Sequence, residues 1–99
     1  MMEVEFEDPA LSRLETDVSY DAGYDRAVVK MYRMRLQLIR AATDERAFYA
    51  LKSLHFEKLK GKRSGQHSMR LNSQWRLILR FKETGSRKIV VVISISDYH

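Results

Sequence analysis

The chain has no cysteine, one proline and four glycines among its 99 residues. Without thiols, disulfides and thiolate metal sites are excluded. The three histidines, His55, His67 and His99, lack the close spacing of a zinc motif. No apolar run approaches the length that spans a bilayer, and no secretory signal pattern opens the chain. The expected location is the cytoplasm, with no membrane partner. Length excludes a cofactor domain beside a separate catalytic one, so a single domain over residues 1–99 is expected.

Acids are scarce in one region. Residues 1–51 hold seven Lys/Arg and ten Asp/Glu, a net of −3, whereas residues 52–88 hold eleven Lys/Arg and two acids, a net of +9. Cations massed in one half point to a polyanion or an acidic partner. What is present otherwise argues for a folded chain: 44% hydrophobic residues and ten aromatics can fill one modest core.

The pattern reads α+β. Residues 3–7 alternate as a short strand with Val4 and Phe6 facing inward. Asp8-Pro9 is a helix start, with Leu11 and Leu14 on its inner face. Residues 16–25 are rich in turn formers and acids and read as an exposed loop. Asp25 can cap the main helix over 26–42, whose buried stripe is Val28, Tyr32, Leu36 and Ile39, widened by Val29 and Leu38; Arg33, Gln37 and Arg40 fall on the other side. A short third helix follows through Phe48, Tyr49 and Leu51. Two strands come next, 67–72 and 74–81, joined by a turn at Asn72-Ser73. His67, Met69 and Leu71, then Trp75, Leu77, Leu79 and Phe81, face the helices; Arg70, Arg76 and Arg80 take the opposite face. After a turn at Gly85, the β-branched run Ile89–Ser96 reads as a strand buried on both faces at the sheet centre. It delivers Asp97-Tyr98-His99 to the rim. The expected architecture is an N-terminal strand, two or three helices and a C-terminal antiparallel meander of three strands.

These residues carry a chemistry. Guanidinium groups bind phosphate through a planar fork and stay charged at any working pH. Arg70, Arg76 and Arg80, with Lys58, Lys60, Lys62 and Arg63 at the sheet's edge, would hold a phosphodiester and stabilise charge developing on it. Tyr98 can donate a hydrogen bond or stack on a base. The imidazole of His99 suits proton transfer, and Asp97 can orient a neighbour. Together they are parts for attack of a ribose 2′-hydroxyl on the adjacent phosphate, which needs neither a metal nor another cofactor. If His99 ends the natural chain, its own α-carboxylate favours the imidazolium, and extension past it should lower cleavage. By pattern alone, His55 beside Phe56 reads as a packed histidine, His67 as structural and Trp75 as core. Pattern alone stops at a basic α+β domain that binds nucleic acid.

Three stretches resemble the HigB group of bacterial toxins in the RelE/ParE superfamily: His55-Phe56-Glu57-Lys58-Leu59-Lys60-Gly61, then Gly65-Gln66-His67-Ser68-Met69-Arg70-Leu71-Asn72-Ser73-Gln74-Trp75-Arg76, then Asp97-Tyr98-His99. The likeness is close over the last half of the chain; the first half matches in element order. It implies a compact RelE-like fold of microbial-RNase type. It implies a toxin of a type II toxin–antitoxin module, an endoribonuclease that cuts mRNA on the ribosome and arrests translation. It also implies a HigA-like helix-turn-helix antitoxin, through which alone the toxin would meet operator DNA. The catalytic set implied is Asp97, Tyr98, His99 and Arg76, with RNA held by Lys58, Lys60, Lys62, Arg63, Arg70, Gln74 and Arg80. A further catalytic histidine of some members has its nearest candidate in His55. The alternatives are a ParE-like inhibitor of DNA gyrase, which shares the fold but does not need the terminal acid–base set, and a weakly toxic member acting mainly as antitoxin partner and corepressor.

Overall fold

The computed structural model describes residues 2–97. Tyr98 and His99, expected at the site, lie outside them. Strand β1 (Glu3–Phe6) leads to helices α1 (Pro9–Thr16), α2 (Arg26–Ala41) and α3 (Arg46–Ala50), then to a 3₁₀ turn (Lys52–Leu54). Strands β2 (Glu57–Lys58), β3 (Gln66–Arg70), β4 (Trp75–Thr84) and β5 (Arg87–Asp97) follow. The sheet order is β1-β5-β4-β3-β2, with β1 parallel to β5 and the other pairs antiparallel. The expected meander is therefore present, and it gains a strand at each edge.

The helices form where the sequence supplies caps and stripes. Asp8 accepts the Ala10 amide at 2.9 Å, which satisfies one orphan donor at the α1 start, and Pro9 needs none. Asp25 occupies the corresponding position of α2 but makes no side-chain cap hydrogen bond. The α2 stripe Val28, Val29, Tyr32, Leu36 and Ile39 is buried against Leu11 and Leu14 of α1 and against Met69, Leu77, Leu79, Val90, Val92 and Ile95 of the sheet. Each such aliphatic burial contributes about 2 kcal/mol. The Tyr32 hydroxyl donates to the Leu11 carbonyl at 2.7 Å and locks α2 onto α1; burial pushes its phenol well above the ordinary value.

Two readings are refined and one is corrected. Arg33 lies off the buried stripe, as expected, but its guanidinium donates to the carbonyls of Leu14, Asp17 and Tyr20, so the loop after α1 is pinned. Tyr20, Ala22 and Tyr24 of that loop pack against the core, because those buried donors draw it down. The β3–β4 connection is not a two-residue turn. Arg70 and Arg76 are the last ladder pair; beyond them the Leu71 and Asn72 amides donate to the Trp75 carbonyl at 2.9 and 3.3 Å, and the Asn72 carboxamide accepts the amides of Gln74 and Trp75 at 2.9 and 2.7 Å. As expected, β5 is an interior strand buried on both faces, although helices cover only one of them.

The other face is open, and its cover is charged. Ile78, Ile89 and Val91 are buried there, outside the helix-side core. Lys82 reaches Glu5 (2.8 Å), Arg80 reaches Glu7 (3.2 Å) and Arg87 reaches Glu3 (2.6 Å). Because β5 separates β4 from β1, the Arg80 and Lys82 pairs must span it, and their hydrocarbon stems shield the β-branched residues beneath.

One irregularity controls the faces. Ile78 pairs with Ser94 and Leu79 with Val92, leaving Ile93 as a bulge. Val90 and Val92 on one side of it and Ile95 on the other all join the helix-side core, which strict alternation would forbid. Ser94 and Ser96 consequently share the open face with Ile78 and Arg76.

Candidate active site on the open face of the sheet

The β3–β4 hairpin places Arg70 and Arg76 directly opposite each other. Two guanidinium groups so placed repel, and the structure separates them by giving each different partners. Arg76 Nη1 donates to the His55 carbonyl (3.0 Å) and to Ser68 Oγ (3.3 Å), with Glu57 Oε1 at 3.8 Å. Arg70 Nε donates to the Asn72 carbonyl (3.2 Å), and its Nη1 lies 3.3 Å from His55 Nε2. Arg35 of α2 anchors the end of β3 by donating to the Arg70 carbonyl at 3.0 Å.

His55 has a left-handed backbone, φ 46° and ψ 46°, as it closes the 3₁₀ turn. For a non-glycine residue this costs roughly 1–3 kcal/mol. The conformation aims the carbonyl at Arg76 and leaves the ring exposed beside Arg70. The two-residue strand β2 then pairs Glu57 with Ser68, and so sets Glu57 on the arginine face. Side-chain exposure falls from 48% at Glu57 to 12% at Arg76. A wall of charge thus surrounds a guanidinium that is only partly open to water, where its field on a bound anion is strengthened.

Across the sheet, Ser96 is the β5 partner of Arg76, and the Ser94 and Ser96 hydroxyls lie 3.0 Å apart. Asp97 is paired with Trp75, which puts it in register with the helix-side face, and it accepts from Gln74 Nε2 at 3.2 Å. Trp75 is half-buried and meets Tyr24 edge to face, 5.5 Å between ring centroids.

The sequence-predicted residues divide. Arg70 and Arg76 come together; Gln74 and Asp97 pair beside them. Lys60, Lys62 and Arg63 stand exposed in the loop, where Gly61 (φ 67°) and Gly65 (φ 90°) make the left-handed turns. Lys58 is opposite His67 and so faces the helix side, away from the arginines, because β2 alternates like any strand. Arg80 lies further along β4, ion-paired with Glu7. His67 stacks on Phe56 (5.2 Å between rings), and burial, then the Lys58 charge, lower its pKa, in keeping with a structural ring.

His55, Glu57 and Ser68 are the site residues that pattern reading passed over. His55 is not packed but exposed, because the left-handed turn swings it out; only Phe56 is buried. Glu57 is one of two acids in the +9 block, and that scarcity was the available signal. Among the described residues, no three His, Asp or Glu side chains converge in a group able to hold a metal ion, and no helix is long and apolar enough to cross a membrane.

Comparison with known proteins places the fold and the family. No curated protein sequence matches the chain. Among solved structures it is similar to a YoeB/ParE toxin from Agrobacterium tumefaciens (TM-score 0.64, 21% identity, covering 99% of this chain and 100% of that one). It is also similar to a chain of the YoeB–YefM complex from Staphylococcus aureus (0.61, 20%, covering 100% and 98%). YafQ from Escherichia coli is a third (0.57, 14%, covering 98% and 93%). These likenesses establish the fold. The family model described as the RelE-like toxin HigB of type II toxin–antitoxin systems matches residues 4–99, and the chain accordingly belongs to the HigB-like toxins.

Proposed function

We propose that this toxin is a metal-independent endoribonuclease that cleaves mRNA on the ribosome. The observation that carries the reading is the setting of Arg76: a guanidinium 12% exposed, oriented by a carbonyl and a hydroxyl, with a carboxylate at 3.8 Å and a histidine-bound arginine opposite. Such a group is fixed before substrate arrives, so it need not reorganise as charge develops on a phosphate. Arg70 supplies a second positive charge.

In the proposed step the ribose 2′-oxygen bonds to phosphorus and the bond from phosphorus to the 5′-oxygen breaks, leaving a 2′,3′-cyclic phosphate. Glu57, beside Arg76, takes the 2′-hydroxyl proton. His99 gives a proton to the departing 5′-oxygen, while Tyr98 positions a base and Asp97, held by Gln74, orients the end of the chain. Lys60, Lys62 and Arg63 grip the message or ribosomal RNA, and Lys58 adds charge at the start of the same loop. Residues 1–99 act as one domain in the cytoplasm. The partner is a HigA-like helix-turn-helix antitoxin that carries operator binding. The Staphylococcus aureus relative, solved in a toxin–antitoxin complex with YefM, supports an antitoxin partner.

The test is primer extension on translated messages after induction of wild type, Arg76→Ala and His99→Ala. Fresh 5′ ends with wild type that vanish in both variants are the expected result. Absence of cuts alongside gyrase-linked DNA breaks would establish the ParE-like rival instead.

A further inference from the structure

The open face of the sheet carries more cations than the site uses. Arg80, Lys82 and Arg87 lie on it below Arg76, and by charge alone an RNA strand should run down the whole face. The structure sets a glutamate against each: Glu7, Glu5 and Glu3 of β1, at 3.2, 2.8 and 2.6 Å. The alternation of β1 points all three glutamates at this face while Val4 and Phe6 enter the core. Each partner in these pairs is 40–56% exposed, so a strand laid there would meet carboxylates as well as cations. Between this zone and Arg76 lies the row Ser68–Ile78–Ser94, which offers no charge.

We propose that Glu3, Glu5 and Glu7 form an acidic fence that confines single-stranded RNA to the half of the face bearing Arg70, Arg76 and the Lys60–Arg63 loop. The inference rests on the RNA-cleaving reading above and adds a boundary to it. The fence cancels three cations that would otherwise hold phosphates without regard to the scissile position. A strand is thereby kept short on the sheet and aligned with Arg76. Exposed pairs of this kind contribute little to stability, so the glutamates are open to removal.

The test measures binding of a short single-stranded RNA carrying 2′-O-methyl riboses, which lacks the nucleophile and is not cut. Wild type is compared with Glu3→Gln/Glu5→Gln/Glu7→Gln over a salt series. Each phosphate contact adds about 0.7 to the slope of log K against log salt for single strands, so three freed cations steepen it by about 2. The gain in affinity over wild type then grows about twentyfold as salt falls from roughly 0.2 M to roughly 0.05 M. A control, Glu15→Gln/Asp21→Asn/Glu45→Gln, raises net charge equally away from this face. Parallel slopes for wild type and the fence variant, or an equal gain from the control, would overturn the proposal. If the fence variant fails to fold, Lys82→Gln/Arg87→Gln decides: an unchanged slope supports the fence, and a shallower one overturns it. Wild type that binds this RNA with no dependence on Lys60, Lys62 or Arg76 removes the RNA reading itself, a result distinct from parallel slopes.

Discussion

Two regions of one sheet face carry the same residue types in different states. Around the β3–β4 hairpin, Arg76 is nearly enclosed and is oriented by a carbonyl and a hydroxyl, with its carboxylate neighbour at 3.8 Å. Toward β1, Arg80, Lys82 and Arg87 are half-exposed and held by glutamates within 3.2 Å. Neutral acceptors fix a guanidinium's plane, whereas a close carboxylate also draws on its charge. Counting arginines therefore says little about where an anion binds. The acceptors around each one decide it.

Substitutions test this contrast. The largest expected effect is Arg76→Ala, which should lower single-turnover mRNA cleavage by about 10²–10³-fold, as loss of a preorganised donor does elsewhere. Arg76→Lys should recover little of that, since an ammonium cannot contact the His55 carbonyl and the Ser68 hydroxyl in one plane with a phosphate. Retention of activity by the lysine variant would reduce Arg76 to a point charge. Glu57→Gln comes next, with a loss of about 10²-fold if the carboxylate takes the 2′-proton. A variant that keeps wild-type activity would move the base elsewhere, with His55 the nearest group.

Smaller effects compare the two regions directly. Arg70→Ala should weaken RNA binding more than Arg80→Ala, measured side by side by filter binding at one salt concentration; the reverse order would erase the distinction between the regions. Smallest is an effect on acid stability. Side-chain and backbone hydrogen bonds from Arg46, aided by the charges of Arg46 and Lys88, hold the Asp44 carboxyl at about 2 against an ordinary 3.8. A depressed carboxyl stabilises the fold above its unfolded value and loses that contribution as pH falls between the two. Asp44→Asn should therefore flatten the decline of thermal stability between pH 4 and pH 2, read by circular dichroism melts. An equally steep decline would assign acid lability to other carboxylates.

Much of the fold was legible in the residues. The Asp8-Pro9 start, the α2 stripe and the alternation of β4 are local signals, and each appears where its spacing put it. Of the candidate site, the shared sheet face of Arg70 and Arg76 and the rim position of Asp97 were legible as placement. What escaped was non-local or too short to have a period. Two residues of β2 cannot show alternation, so neither the placing of Glu57 nor the turning away of Lys58 could be read. The parallel pairing of β1 with β5 joins the two ends of the sequence, and with it came the cancelling of Arg80 by Glu7. His55 depended on a left-handed backbone that its neighbours Leu54 and Phe56 conceal, both being core residues.

Ile93 is the one residue of β5 without a partner in β4. It acts as a phase shift in a two-beat rhythm. Remove that one residue and every side chain after it changes sides. Ser94 and Ser96 would turn into the oily layer under the helices, Ile95 would turn out beside Arg76, and Asp97 would exchange faces with its neighbours in the strand. The strand would keep both neighbours and lose a single isoleucine. For this protein the length of β5, counted to the single residue, is as much a part of the site as any arginine in it.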